Sequence, residues 1–272
     1  MIKICIIGTG QIGFDLLNKV MVLDFVKIIA FVGRRSCTKT LPLHVHYSDK
    51  SIQYFIDNPK CCDVVFDCTD AYSAAINSKI FFEQGIKVID LTPSNIGEFY
   101  IPMISSPNGL NINMVTCGGQ ASMPLLKYLN NKFDITYAEV VTQINSESAG
   151  MATRINIDKY IELTEKSIYK FINTKKCKVI LNINPHFNTI MQTTIYLKIV
   201  PSDSYNFDDF DNFVNTIQSY IPNYKPSKPI FLSPNLLIAH VNVVGSSKII
   251  SNYSGNLDII NCAAIHALIN CK

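Results

Sequence analysis

Apolar and polar positions alternate along this chain in two different rhythms. Ile4 to Ile7 is a short apolar strand candidate that stops at Gly8, and the apolar positions Phe14, Leu16, Leu17 and Val20 that follow suit one face of a helix. Val26 to Val32, Val64 to Asp67 and Val88 to Leu91 read as further buried strands, with Ala71 to Gln84 as a helix between the last two, closed by Gly85. Strands that alternate with helices predict a parallel sheet covered on both faces.

From about Asn113 the rhythm changes. Cys117 and the Gly118-Gly119-Gln120 that follow open a helix reaching Leu129, and Ile135 to Ile144 alternates as a strand rich in β-branched residues. Asp158 to Ile172 predicts a strong helix and Phe207 to Tyr220 another, while Lys178 to Ile183, Thr193 to Val200 and Leu236 to Val244 read as longer, antiparallel-looking strands. A second, α+β unit on a different sheet is expected here. The final segment, Asn256 to Cys271, predicts a helix that packs back onto the first unit.

Composition narrows the field. With 272 residues, 48% hydrophobic and 17% charged, the chain has enough apolar material for a proper core, which excludes disorder and coiled coil as the main plan. A net charge of +3 is too small for a nucleic-acid or membrane-surface footprint, so small molecules or other proteins are the expected partners. The first apolar run ends too early for a signal peptide and no stretch reaches the roughly 18 apolar residues of a spanning helix, so a cytoplasmic protein is expected. Nine cysteines, an odd number with Cys61 and Cys62 adjacent, read as reduced thiols. His44 and His46 lack a third ligand at a persuasive spacing, and Cys61-Cys62 lacks Cys-x-x-Cys geometry, so no metal site is expected.

The candidate chemistry begins at Gly8, Gly10 and Gly13, which have dinucleotide-fingerprint spacing and stand between a strand and a helix. Gly8 permits a tight turn, Gly10 lets backbone approach a pyrophosphate, and Gly13 lets helix and strand pack closely. Such a turn expects an acidic residue about 20 positions on, at the end of the second strand, to hold the NAD ribose. Here that position reads Arg34-Arg35-Ser36, which would welcome the 2′-phosphate of NADP or else form a solvated basic turn. Cys117 is placed at the start of a helix, whose positive end favours thiolate, and the adjacent glycines would let amides face an oxyanion; a buried, inert thiol is the alternative. Ser148, Ala149, Gly150, Met151, Ala152, Thr153, Arg154, Ile155 and Asn156 look like a loop folded against a ligand, or merely the approach to the next helix. Ser254 to Asp258, around Asn256, is a helix cap or a cofactor contact.

Taken together, Gly8 to Gly13, Asp90-Leu91-Thr92-Pro93, Met114 to Ala121, Ser148 to Asp158 and Ser254 to Ile259 resemble the acetylating acetaldehyde dehydrogenases that work with 4-hydroxy-2-oxovalerate aldolases in aromatic meta-cleavage, almost end to end. The resemblance implies a Rossmann domain from residues 1–116 plus 257–272, with an inserted α+β catalytic and dimerisation domain at 117–256. It implies conversion of a small aldehyde, NAD or NADP and coenzyme A to acyl-CoA, with Cys117 as nucleophile and acyl carrier. Thr9, Gly10, Gln11 and Ile12 would contact the dinucleotide, with 148–156 and Asn256 closing over it. A homodimer and an aldolase partner are implied too.

Three positions depart from the family pattern: Arg34-Arg35 for an acidic residue, Met151-Ala152 for Pro-Gly, and Thr193 where the family has an aspartate thought to assist the nucleophile. Threonine is no base at neutral pH, and loss of such a base costs on the order of 10²- to 10⁴-fold. His186 is a candidate replacement. The alternatives are an enzyme run toward reduction of an acyl thioester for another small aldehyde, and a catalytically weakened homologue kept as an assembly subunit.

Overall fold

A computed structural model describes residues 1–35, 40–42, 44–201, 206–246 and 249–271, with backbone alone at 151 and 152. The N-terminal half runs β1 (Ile2–Ile7), α1 (Gln11–Val20), β2 (Val26–Val32), β3 (Tyr47–Ser48), α2 (Gln53–Asp57), β4 (Val64–Asp67), α3 (Ala71–Gln84), β5 (Lys87–Asp90), β6 (Glu98–Phe99) and β7 (Asn111–Asn113). The remainder runs α4 (Cys117–Asn130), β8 (Ile135–Asn145), α5 (Met151–Ile155), α6 (Ile157–Phe171), β9 (Lys176–Asn184), β10 (Met191–Ile199), α7 (Phe210–Gln218), β11 (Tyr224–Ser233), β12 (Leu236–Val243) and α8 (Gly255–Asn270).

The first sheet is parallel throughout, in the order β3-β2-β1-β4-β5-β7-β6. β1 therefore lies between β2 and β4, at the point where strand order reverses, and a crevice opens beyond the carboxyl ends of those strands. One face carries an apolar cluster of Ile4, Ile6, Leu16, Leu17, Ile260 and Ala264, which joins β1 to α1 and α8. The other carries Ile7, Val32, Phe55, Val65 and Phe81, which joins the strands to α2 and α3. α3 starts where Asp70 accepts from the amides of Tyr72 and Ser73, and stops at Gly85 in the left-handed region, φ +68°.

The second sheet, β11-β12-β10-β8-β9, is mixed: β8 pairs with β9 in parallel, and all its other pairings are antiparallel. β9 departs from the antiparallel pattern because α5 and α6 carry the chain back across the sheet before it. Burial alternates strictly along β12, so one face packs on the helices and the other stays open. β11 holds Pro226 and Pro229 and is an edge strand, the one place in a sheet where missing amide donors are tolerated.

The helix expected at the end of the chain does return to the first sheet. α8 lies against α1 and α4. Asn261 donates to Ile12 O (3.1 Å) and to Asp15 (2.8 Å), and Asp258 pairs with Lys19 at 2.7 Å. No helix among the described residues is long and apolar enough to cross a membrane.

Candidate active site

The glycine turn is built by steric necessity at two of its three glycines. Gly8 has φ +105°, and a Cβ on it would stand 2.4 Å from Cys68 O; one on Gly13 would stand 1.9 Å from Gly8 O. Gly10 instead faces open space and caps α1 without a side-chain hydrogen bond. The first amides of α1 are thus left to an anion arriving at the exposed Gly10-Gln11 edge.

Cys117 is the first residue of α4. Thr116 caps the helix, accepting from Gly119 N at 2.9 Å, and its hydroxyl meets Thr164 Oγ1 at 2.7 Å. Just before it, Val115 has φ +59°, a costly conformation for a β-branched residue, and its amide is tied to Asn113 Oδ1 at 2.8 Å. Strain of this kind fixes the direction in which the chain enters the helix. The amides of Cys117 and Gly118 face the sulfur, while that of Gly119 is committed to the cap. The amides free to face the sulfur are therefore those of Cys117 and Gly118, not a pair from the two glycines.

The state of the thiol also differs from expectation. Burial pushes it up to about 11, and the hydrogen bonds to Tyr160 and to the Gly118 and Cys117 amides only partly offset this. The helix terminus favours thiolate, but desolvation wins and the resting group is a neutral thiol at pH 7.

Cys117 lines a cleft with Ile12 from the glycine turn, Thr153 and Asn156 from the segment around α5, and Asn256 from α8. Thr69 and Asp70, which follow β4, and Leu91 to Pro93, which follow β5, complete its wall. Asn256 donates from Nδ2 to Ser148 O at 3.2 Å, while its buried Oδ1 has no partner. Open amides at Gly10 and an unpaired side-chain amide oxygen across the same crevice fit a nicotinamide dinucleotide.

Other predicted residues stand elsewhere. Arg34 and Arg35 are exposed at the end of β2; the Arg34 guanidinium is 3.8 Å from Asp70, and Arg35 O accepts from the Tyr47 hydroxyl. Ser36 and the side chains of Met151 and Ala152 lie outside the described residues. The expected 148–156 loop is a turn followed by the short helix α5, because Arg154 folds back onto Ala149 O (3.1 Å) and Ser146 O (3.0 Å). That spends the Arg154 guanidinium on backbone, and Ile155 is 73% exposed, so neither side chain lines the cleft. Ser148 and Ala149 are buried beneath it and Gly150 is exposed. His186 sits exposed in the β9–β10 connection, with Nδ1 against Phe187 O, and does not line the cleft.

Thr69, Asp70 and Tyr160 line the cleft without having been singled out from sequence, and Tyr160 is the one that reaches the sulfur. Tyr160 Oη lies 3.9 Å from Cys117 Sγ and also meets the Thr142 hydroxyl, which in turn stands 3.2 Å from Thr193 Oγ1. Burial holds the Tyr160 phenol well above its ordinary value, so it stays a neutral donor. A signal existed: Asn156, Tyr160 and Thr164 fall at spacings of four on one face of a helix.

Residues 117–251 match a family model described as prokaryotic acetaldehyde dehydrogenase, dimerisation. The chain is 41% identical to an acetaldehyde dehydrogenase of Spirochaeta aurantia, covering 97% of this chain and 92% of that protein. It is 40% identical to one of Pectobacterium atrosepticum, covering 97% and 93%. Among solved structures, an aspartate semialdehyde dehydrogenase II of Vibrio cholerae, complexed with ASA, superposes with a TM-score of 0.68 at 15% identity, covering 99% of this chain and 98% of that one. An aspartate semialdehyde dehydrogenase of Candida albicans with NADP gives 0.60 at 12%, covering 99% of each.

Proposed function

Because the chain belongs to the acetaldehyde dehydrogenases, a family of oxidoreductases, we propose that it oxidises acetaldehyde or another short aldehyde with NAD or NADP and passes the acyl group to coenzyme A. The observation that carries this is the position of the Cys117 sulfur, in the cleft shared by the glycine turn, Asn256 and Tyr160.

The Cys117 sulfur adds to the aldehyde carbon, and the thiol proton ends on the former carbonyl oxygen, giving a thiohemiacetal. The amides of Cys117 and Gly118 and the hydroxyl of Tyr160 are the donors at hand as charge develops on oxygen or sulfur. When bound, a nicotinamide dinucleotide would be held by the Gly8–Gly13 turn and Asn256 and would supply the hydride acceptor; the thioester forms as hydride leaves the thiohemiacetal carbon and the hydroxyl proton is released to solvent. The coenzyme A thiol then takes the acyl group, and its proton returns to the Cys117 sulfur. In this reading residues 1–116 with 257–272 bind the dinucleotide, and 117–256 carry catalysis and pairing.

The matched region is a dimerisation domain, and the open face of the second sheet supports a homodimer. On that face stand Tyr196, Ile230, Leu232 and Ile238, with Ile230 61% and Leu232 57% exposed in the single chain. An aldolase that releases the aldehyde beside the cleft is the further partner this reading implies.

The deciding assay gives purified protein acetaldehyde, coenzyme A and either NAD or NADP, following reduced nicotinamide and acetyl-CoA. Omission of coenzyme A should leave an acyl adduct on Cys117 by intact mass, absent in Cys117→Ala. No adduct and no turnover with either cofactor would sink the proposal. A second reading, a weakened homologue kept for assembly, draws support from the neutral thiol and from Thr193, since no carboxylate or imidazole among the described residues hydrogen-bonds to the sulfur. Partner capture that survives Cys117→Ala, together with absent turnover, would favour it.

A further inference from the structure

Cys5, Cys61 and Cys62 meet on the face of the first sheet covered by α2 and α3, away from the face that carries α1 and α8. Their three sulfurs all lie within 4.8 Å of one another. Cys5 is placed by β1, at the point where its register against β2 slips between Ile4 and Cys5, a break of the kind that re-aims a strand side chain. Cys61 and Cys62 come from the segment leading into β4, which is fixed by Asp63 N donating to Lys3 O at 2.8 Å. Cys5 and Cys62 are buried and Cys61 is half-exposed, so the cluster has two anchored sulfurs and one entrance. All three are free thiols.

From this juxtaposition we propose that Cys5, Cys61 and Cys62 form a binding site for a soft monovalent d¹⁰ cation of the Cu(I) class, separate from the proposed active site. An ion about 2.3 Å from each of three sulfurs holds them about 4.0 Å apart, so the cluster closes around it when each sulfur moves inward by at most about half an ångström. Thiolate sulfur selects soft ions. No His, Asp or Glu joins the cluster among the described residues, so an ion that demands a fourth protein ligand is poorly served, whereas Cu(I) is satisfied by two or three sulfurs. Two thiols lose their protons as the ion binds, giving one net negative charge and two released protons, with the third sulfur as an additional neutral donor. No oxidation is involved, and both copper and sulfur enter reduced.

The test uses the whole reduced protein under anaerobic conditions, titrated with Cu(I) against a chromophoric Cu(I) chelator and weighed by native mass spectrometry. One copper per chain is expected, with the same affinity in Cys117→Ala and a loss of more than about 100-fold in Cys61→Ser, since outer partners of a metal site alone cost 10- to 100-fold. Copper loading should also shield Cys61 in the wild type from alkylation, read peptide by peptide, a measurement that needs no variant to fold. The proposal is overturned if the chelator keeps all the copper, if binding is lost with Cys117 instead of Cys61, if Zn(II) at equal concentration displaces the copper, or if the cluster closes into a disulfide that excludes it.

Discussion

Tyr160 Oη lies 3.9 Å from Cys117 Sγ, and it reaches that place because the residue after the cysteine has no side chain. A Cβ on Gly118 would stand 2.0 Å from Tyr160 Oη and 2.8 Å from Thr142 Oγ1. The glycine that sequence reading assigns to oxyanion geometry thus also makes room for a phenol. Gly118→Ala is expected to destabilise the protein by about 1–3 kcal/mol, the usual cost of overpacking. Combining it with Tyr160→Phe should recover part of that loss in thermal denaturation, because the clashing oxygen is gone. If the two changes simply add, the steric account is wrong.

Tyr160→Phe by itself removes the hydroxyl that accepts from the resting Cys117 thiol and can donate to the sulfur once it ionises. Aldehyde turnover should fall by about 10²-fold, the lower range for one lost hydrogen-bond donor at a reacting centre. The same change removes an interaction that lowers the thiol from its burial-raised position, so the pH at which Cys117 becomes reactive to an alkylating agent should move above about 11. A merely structural tyrosine would leave that profile unmoved.

Asp90 makes stability depend on pH. Burial, and then repulsion from Asp67 directly opposite in the neighbouring strand, raises its carboxyl from 3.8 to about 7. Between those values the folded protein keeps a proton that the unfolded chain has released, so stability is greatest below about pH 4 for this group and declines as pH rises through about 7. Melting temperatures from about pH 5 to about pH 8 should show that decline once the other carboxylates are ionised. Asp90→Asn, neutral throughout, should flatten the slope, though it sacrifices acceptors for Thr92 and Ser94.

Much of this arrangement is legible in the sequence, and the gaps have physical causes. The Gly8–Gly13 turn is readable because its steric demands are local, and α3 because Asp70 and Gly85 mark both of its ends. Short β3, α2, β6 and β7 carry too few residues for a period, and the prolines of β11 argue against a strand until its edge position is known. The cysteine cluster joins Cys5 to the distant adjacent pair Cys61 and Cys62, which spacing rules cannot see. The neutral state of Cys117 escaped because a helix terminus is visible in sequence while desolvation is not.

α8 is locked to α1 by a buried ion pair. Asp258 is fully buried, receives Lys19 at 2.7 Å, and accepts from Ser246 Oγ at 2.8 and 2.9 Å. Asp258→Ala would leave the Lys19 ammonium without its partner in a mostly dehydrated place, a change worth about 3–5 kcal/mol. Since Asn256 projects from the first turn of the same helix into the cleft, dinucleotide affinity should fall along with the melting temperature. Loss of stability with affinity unchanged would mean that α8 does not position Asn256.

Arg34 bears on the choice between the two dinucleotides. Its guanidinium is exposed and only 3.8 Å from Asp70, the cap of α3 and part of the cleft wall. An adenosine 2′-phosphate would offer this arginine a doubly charged, bidentate partner in place of one loosely held carboxylate. A ribose hydroxyl offers no such exchange, and the carboxylate of Asp70 then competes for the same guanidinium. Arg34→Ala is therefore expected to weaken NADP by about tenfold, the worth of one charge-assisted hydrogen bond at an exposed site, with NAD changed little. Fluorescence titration of both variants with both dinucleotides reads this directly. Equal losses for NAD and NADP would show that Arg34 supports the turn after β2 and not the phosphate, and tighter binding of NAD by the wild type would remove the arginine from the cofactor site altogether.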